Sequence, residues 1–72
     1  MYIVYGKVTC PFCDKAKELL QQHNLEIDYR DVGDSEVKQE LLNLYSEAKT
    51  VPQIFTNGVR IGGYTDLVEY LK

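Results

Sequence analysis

The sequence predicts an α/β domain whose elements run βαβαββα, and three observations carry that expectation. A compact apolar run, a stretch with helical spacing and an alternating stretch follow one another from Met1 to Arg30, as in a parallel βαβ unit. Asn57-Gly58 stands between two further apolar runs. That is the strongest short hairpin signal, because both turn positions need positive φ. Asp34 and Thr65 stand as N-cap residues before two more helical patterns.

Taken in order, Met1 to Tyr5 is an apolar run ended by Gly6, which suits a buried strand. From Phe12 the positions Phe12, Ala16, Leu19, Leu20 and His23 recur at helical spacing, and Asn24 is the expected stop. Ile27 and Tyr29 alternate with Glu26, Asp28 and Arg30 as a second strand would. Asp34 is expected to cap a second helix with the apolar face Val37, Leu41, Leu44, Tyr45 and Ala48, and Glu36 suits its first turn. Gln53 to Thr56 and Val59 to Ile61 form the hairpin. Gly62-Gly63 then leads to Thr65 and a last helix that turns Leu67, Val68 and Leu71 inward.

Seventy-two residues are read as one domain, 1–72. A chain of this length buries only about 60% of its unfolded surface, enough for a small core. With 44% hydrophobic and 26% charged residues it is globular rather than disordered. The net charge of -3 is spread out, and Lys and Arg form no run or stripe, so no nucleic-acid partner is expected. MYIVYGK is not a secretory signal and no segment is apolar enough to span a bilayer, so neither a membrane nor export is expected. The default compartment is therefore the cytoplasm, where paired cysteines tend to be catalytic or metal-binding.

Both cysteines lie in KVTCPFC, directly after the first strand. Cys10 falls at the N-cap of the first helix, Pro11 at N1 and Cys13 at N3. Proline suits N1, since its φ is already helical and its missing N–H has no partner to lose there. A sulfur at N-cap faces the free N–H groups of the first turn and the positive end of the helix dipole. Both favour thiolate over thiol, and Lys7 adds a cation, so Cys10 is expected to be the nucleophile. Cys13, one turn on, is placed to attack a mixed disulfide formed at Cys10, which makes two-step thiol–disulfide exchange the expected chemistry. Two other readings are weaker. A structural zinc site wants four ligands, and the chain offers two thiols and His23, almost three helical turns away and better read as a helix-end residue. A static disulfide closing a four-residue loop restricts the unfolded chain little. No metal site is expected. A C-x-x-C that opens a helix within a βαβ unit is a strong redox signal.

With those residues in place, the chain resembles the glutaredoxins over nearly its whole length. CPFC looks like their dithiol active site, with Phe12 where tyrosine is usual. TVPQIF, Thr50 to Phe55, looks like their strand preceded by a cis proline, and GGYTD, Gly62 to Asp66, like the glycine pair and acidic residue that hold glutathione. The resemblance implies a thioredoxin-like fold, a four-stranded mixed sheet flanked by three helices. It also implies reduction of protein disulfides and glutathione mixed disulfides through Cys10 and Cys13, with glutathione as electron donor and no bound cofactor. The expected glutathione site joins Lys7, Phe12, Gln39, Thr50, Val51, Pro52, Gly63, Tyr64, Thr65 and Asp66. Within it the Val51 N–H and C=O would pair with the peptide backbone of glutathione as one strand pairs with another. Lys7, supported by Gln39, would meet the glycine carboxylate. The start of the last helix at Thr65-Asp66 would take the γ-glutamyl carboxylate, and Asp66 its ammonium. Tyr64, at a position that varies in the family, either packs on a substrate or stands as a partly exposed aromatic.

Phe12 lacks the usual tyrosine hydroxyl, so any hydrogen bond made by that group is absent, and the last helix is short. The expected partners are glutathione and disulfide-containing proteins, ribonucleotide reductase among them, with the chain itself a monomer. Two alternatives from other classes remain. One is a small redoxin reduced by thioredoxin reductase that donates electrons to ribonucleotide reductase; Asp66 and Lys7 argue against it. The other is an iron–sulfur carrier in which two chains share a cluster through Cys10 and two glutathiones; Pro11 stiffens the loop against that arrangement.

Overall fold

The computed structural model describes all 72 residues. Its elements are β1 (Tyr2–Gly6), α1 (Pro11–Gln22), β2 (Ile27–Asp31), α2 (Ser35–Leu44), β3 (Gln53–Thr56), β4 (Val59–Gly62) and α3 (Tyr64–Tyr70). The strands form one mixed sheet in the order β2-β1-β3-β4. β1 runs parallel to β2 and antiparallel to β3, and β3 is antiparallel to β4. This is the four-stranded, three-helix arrangement expected. No helix is long and apolar enough to cross a membrane.

β1 is hydrogen-bonded on both sides, so both of its faces must be covered, and successive side chains enter different cores. Val4 joins Ala16 and Leu20 of α1, Ile54 of β3 and Leu67 of α3 in one cluster. Its neighbour Tyr5 joins Val32, Leu41 of α2 and Phe55 in the other. The alternation of Ile54 and Phe55 along β3 repeats the division. Thus α1 and α3 cover one face of the sheet and α2 covers the other. The second core is less dry at its margin. The Tyr5 hydroxyl donates to Glu40, and Arg30 pairs with both Glu40 and, at 2.8 Å, Asp28. Burial, followed by the hydrogen bond to Glu40, pushes the Tyr5 phenol up to about 12.

Local signals set most element ends. α1 closes at His23, and Asn24 follows in the left-handed region at φ 57. Asp34 caps α2 by accepting the Glu36 N–H at 2.9 Å. Asn57 and Gly58, at φ 52 and 77, make the positive-φ hairpin turn. The Val51–Pro52 bond is cis, the isomer expected from the resemblance.

Four expectations need correction. α2 ends at Leu44 with Tyr45 as its C-cap, so Tyr45 and Ala48 lie beyond the helix although both still pack on the second core. Gly63, not Thr65, is the N-cap of α3, and Thr65 lies inside the helix. Asp66 makes the difference, because its carboxylate reaches back to accept the Gly63 N–H at 3.1 Å and closes the helix start one residue before Tyr64. Leu44, assigned to the buried face of α2, is 59% exposed. It is the last helical residue and shares the outer side with Glu36, Gln39, Glu40 and Asn43. Phe12 likewise leaves the apolar stripe of α1, standing 54% exposed beside the cysteines.

Candidate active site

Cys10 takes an extended conformation, φ -111 and ψ 107, at the N-cap of α1, with Pro11 at N1. Its sulfur accepts the Cys13 backbone N–H at 3.1 Å, so one of the free amides of the first turn points at it. On the opposite side the Cys10 thiol lies 3.6 Å from the Val51 carbonyl, to which it donates. A cap usually supplied by a hydroxyl or carboxylate oxygen is here supplied by a thiol sulfur.

Cys10 is partly exposed and Cys13 fully buried, and both are free thiols. Burial, then the hydrogen bond to Cys10, pushes the Cys13 thiol up to about 11, while the Lys7 backbone and the Tyr29 hydroxyl act the other way. The two sulfurs therefore differ in access, Cys10 being partly exposed and Cys13 buried. Burial keeps Cys13 a neutral thiol.

Two hollows meet at Thr50, and the smaller is lined by Val51, whose carbonyl lies 3.6 Å from the Cys10 sulfur. One, of about 190 Å³, is lined by Phe12 of α1, by Thr50, Val51 and Pro52, and by Gly63, Tyr64 and Thr65 at the start of α3. The Phe12 and Tyr64 rings stand 6.0 Å apart at 37° and form its aromatic wall. The second, of about 330 Å³, is reached past Thr50, which lines both. It has an apolar floor that includes Val32 and Leu41, and Lys7, Lys38 and Lys49 around it. None of these lysines is in an ion pair. In a chain of net charge -3, three lysines without ion pairs around one hollow concentrate positive charge there.

Phe12, Thr50, Val51, Pro52, Gly63, Tyr64 and Thr65 thus line the smaller hollow and Lys7 the larger, with Thr50 common to both. Cys10 touches Val51 of the smaller one, and Cys13 is buried. Asp66 stands in the first turn of α3 with Oδ2 occupied by the Gly63 N–H. Gln39 lines neither hollow. Its side chain donates to Asn43 at 3.0 Å on the outer side of α2, where it lines a shallow hollow of about 380 Å³ remote from the cysteines. The helical residue that does face the larger hollow is its neighbour Lys38, which the sequence reading missed along with Lys49. Lys38 lies four residues before Leu42 and three before Leu41, and both of these line the same hollow. That spacing was the available signal. No three His, Cys, Asp or Glu side chains come together as metal ligands would.

A sequence model described as Glutaredoxin matches residues 2–61. The chain belongs to the glutaredoxin family. It is 34% identical to Glutaredoxin 1 of Escherichia coli strain K12, over 97% of this chain and 91% of that one. The structure of reduced Escherichia coli glutaredoxin, 30% identical over the same shares of the two chains, superposes with a TM-score of 0.80. A thioredoxin-like protein crystallised as a mutant matches over the full length of both chains, with a TM-score of 0.84 and 27% identity. Family membership makes the chain a thiol–disulfide oxidoreductase, the chemistry to which its paired free thiols are suited.

Proposed function

We propose that this chain reduces glutathione mixed disulfides and protein disulfides, with glutathione as its electron donor. The observation that carries the reading is an accessible helix-capping sulfur set against Val51, which lines one hollow, with three unpaired lysines around a second hollow that shares Thr50 with the first. A tripeptide with a thiol in the middle and a carboxylate at its glycine end fits that order. Its cysteine lies against Cys10, its backbone along Val51, and its glycine carboxylate among Lys7, Lys38 and Lys49. The γ-glutamyl end then lies by Gly63 to Asp66, where Asp66 Oδ1 faces the ammonium.

Cys10 as thiolate attacks one sulfur of a disulfide, that disulfide bond breaks, and the departing sulfur takes up a proton. When the product is a Cys10–glutathione mixed disulfide, a second glutathione thiolate attacks the glutathione sulfur, returning Cys10 and releasing glutathione disulfide. When the product is a Cys10–protein mixed disulfide, Cys13 attacks Cys10, frees the second substrate thiol and leaves a Cys10–Cys13 disulfide. Two glutathiones then restore the dithiol. No further cofactor enters this scheme. The partners that go with it are glutathione and disulfide-bearing proteins, ribonucleotide reductase being one candidate, and the compartment is the reducing cytoplasm.

Turnover of a glutathionylated substrate with glutathione, glutathione reductase and NADPH tests the reading, and sustained NADPH oxidation dependent on the chain is expected. The alternative reading is reduction by thioredoxin reductase. Activity with thioredoxin reductase and none with glutathione would select it.

A further inference from the structure

Beside Cys13 lies a phenol that the exchange scheme has not used. Tyr29 projects from β2, where it pairs with Val4 of the central strand, and its hydroxyl donates to the Lys7 carbonyl at 3.0 Å. Gly6, the last residue of β1, lies beneath it. A Cβ added at Gly6 would stand 2.5 Å from Tyr29 Oη and 2.9 Å from Cys13 Sγ. The phenol and the buried sulfur therefore converge on one point, and only the missing side chain at Gly6 lets them do so. The requirement for glycine here is space, not backbone conformation.

We propose that Tyr29 is the hydrogen-bond donor for Cys13 in the resolving step, its hydroxyl turning from the Lys7 carbonyl to the Cys13 sulfur as that sulfur becomes charged. A hydrogen bond to a thiolate is charge-assisted and stronger than one to a neutral carbonyl, so charge on Cys13 is enough to redirect the rotor. In the step itself the Cys13 thiol gives up its proton and its thiolate attacks Cys10 Sγ. The bond from Cys10 to the substrate sulfur breaks, the electron pair leaves on that sulfur, and the sulfur takes up a proton. The substrate disulfide has then gained two electrons and the two cysteines have lost them. Tyr29 keeps its own proton throughout. Burial, then the neighbouring Cys13, pushes its phenol up to about 12, above the thiol it serves, so it acts as a donor and not as a base. The other titratable groups around it are Cys10 and Asp14, which oppose ionisation of the phenol, and Lys17, whose ammonium sits 4.4 Å from the ring centroid.

The inference rests on the reading above in which Cys13 resolves, and the experiment separates the two. Tyr29→Phe keeps the ring and the Lys17 contact and removes only the hydroxyl. In the Cys10→Ser background, iodoacetamide alkylation of Cys13 across pH should show its midpoint moved upward by the Phe substitution. With Cys10 intact, reduction of a protein disulfide should slow about tenfold or more, the scale of one hydrogen bond to a charged group. Reduction of a glutathione mixed disulfide, which bypasses Cys13, should be unchanged. An unchanged Cys13 midpoint, or equal slowing of both assays, overturns the role of Tyr29. Retained protein-disulfide reduction in Cys13→Ser instead overturns the resolving role of Cys13, and the inference with it.

Discussion

Cys10 and Cys13 are one helical turn apart on the same helix, yet the fold gives them opposite surroundings. Cys10 caps α1, receives a backbone N–H, is partly exposed and touches Val51, which lines the smaller hollow. Cys13 is sealed between α1 and the end of β1 and is held as a neutral thiol by burial. The difference shows that a thiol pair becomes directional without different residue types. One turn of helix rise, at about 1.5 Å per residue, carries the second sulfur from the mouth of the site to its floor.

The sharpest way to break that comparison is to remove each sulfur in turn. Cys10→Ser should abolish both reduction of glutathione mixed disulfides and reduction of protein disulfides, because no other accessible nucleophile stands at the helix start. Cys13→Ser should keep the first activity and lose the second. Equal loss of both activities in both variants would remove the distinction between the two sulfurs.

Next in size are the cations on the Cys10 side. Lys7→Gln and Lys38→Gln should each raise the apparent glutathione requirement, by a factor near ten where the ammonium makes a charge-assisted hydrogen bond worth roughly 1.5–3 kcal/mol. Gln39→Ala should leave it unchanged, since that side chain faces Asn43. Steady-state kinetics against glutathione decide the point, and a Gln39 effect as large as that of Lys38 would reverse the assignment of the two faces of α2.

pH distinguishes the buried sulfur. Its thiol is raised on folding from 9.0 to about 11, so the folded protein holds this proton more tightly than the unfolded chain does. The stabilisation is complete below about pH 9 and is lost as pH rises through about 11. Tyr5 and Tyr29, both raised to about 12, extend the loss to higher pH. Urea denaturation of the reduced protein should show declining stability over that window, with a smaller decline in Cys13→Ala. An identical decline in the variant would assign the whole effect to the tyrosines.

The smallest expected effect lies far from either sulfur. Leu44→Gln should change stability by no more than about 0.5 kcal/mol, as for other exposed positions, and leave both activities intact. Thermal melting beside the two assays checks it.

What was legible in the sequence was what depends on near neighbours. The helix start at Cys10-Pro11, the cap at Asp34 and the Asn57-Gly58 turn are each set within a few residues, and each stands where its residues place it. The rotation of α2 about its axis was not legible at single-residue precision. Lys38 and Gln39 are adjacent and both polar, and only packing against the sheet turns one to the larger hollow and the other away. Thr65 was a reasonable cap by residue type, but Asp66 competes for the same task from within the helix and prevails. Tyr29 reads as an ordinary strand residue in the sequence. Its place behind Cys13 depends on strand register and on the bare α-carbon of Gly6, neither of which local pattern reports.

The strand order β2-β1-β3-β4 leaves two open edges, and an open edge is a template for pairing with another chain. β4 offers only four residues, Val59 to Gly62, with Arg60 among them and a register irregularity against β3. β2 carries Asp28, Arg30 and Asp31 along its five residues. Short length on one border and charge on the other discourage edge-to-edge association. The site stands at the end of the central strand, with a neighbour on each side, so self-association through either border would have to begin away from the cysteines. The same sheet that fixes the nucleophile thereby favours keeping it accessible in concentrated solution.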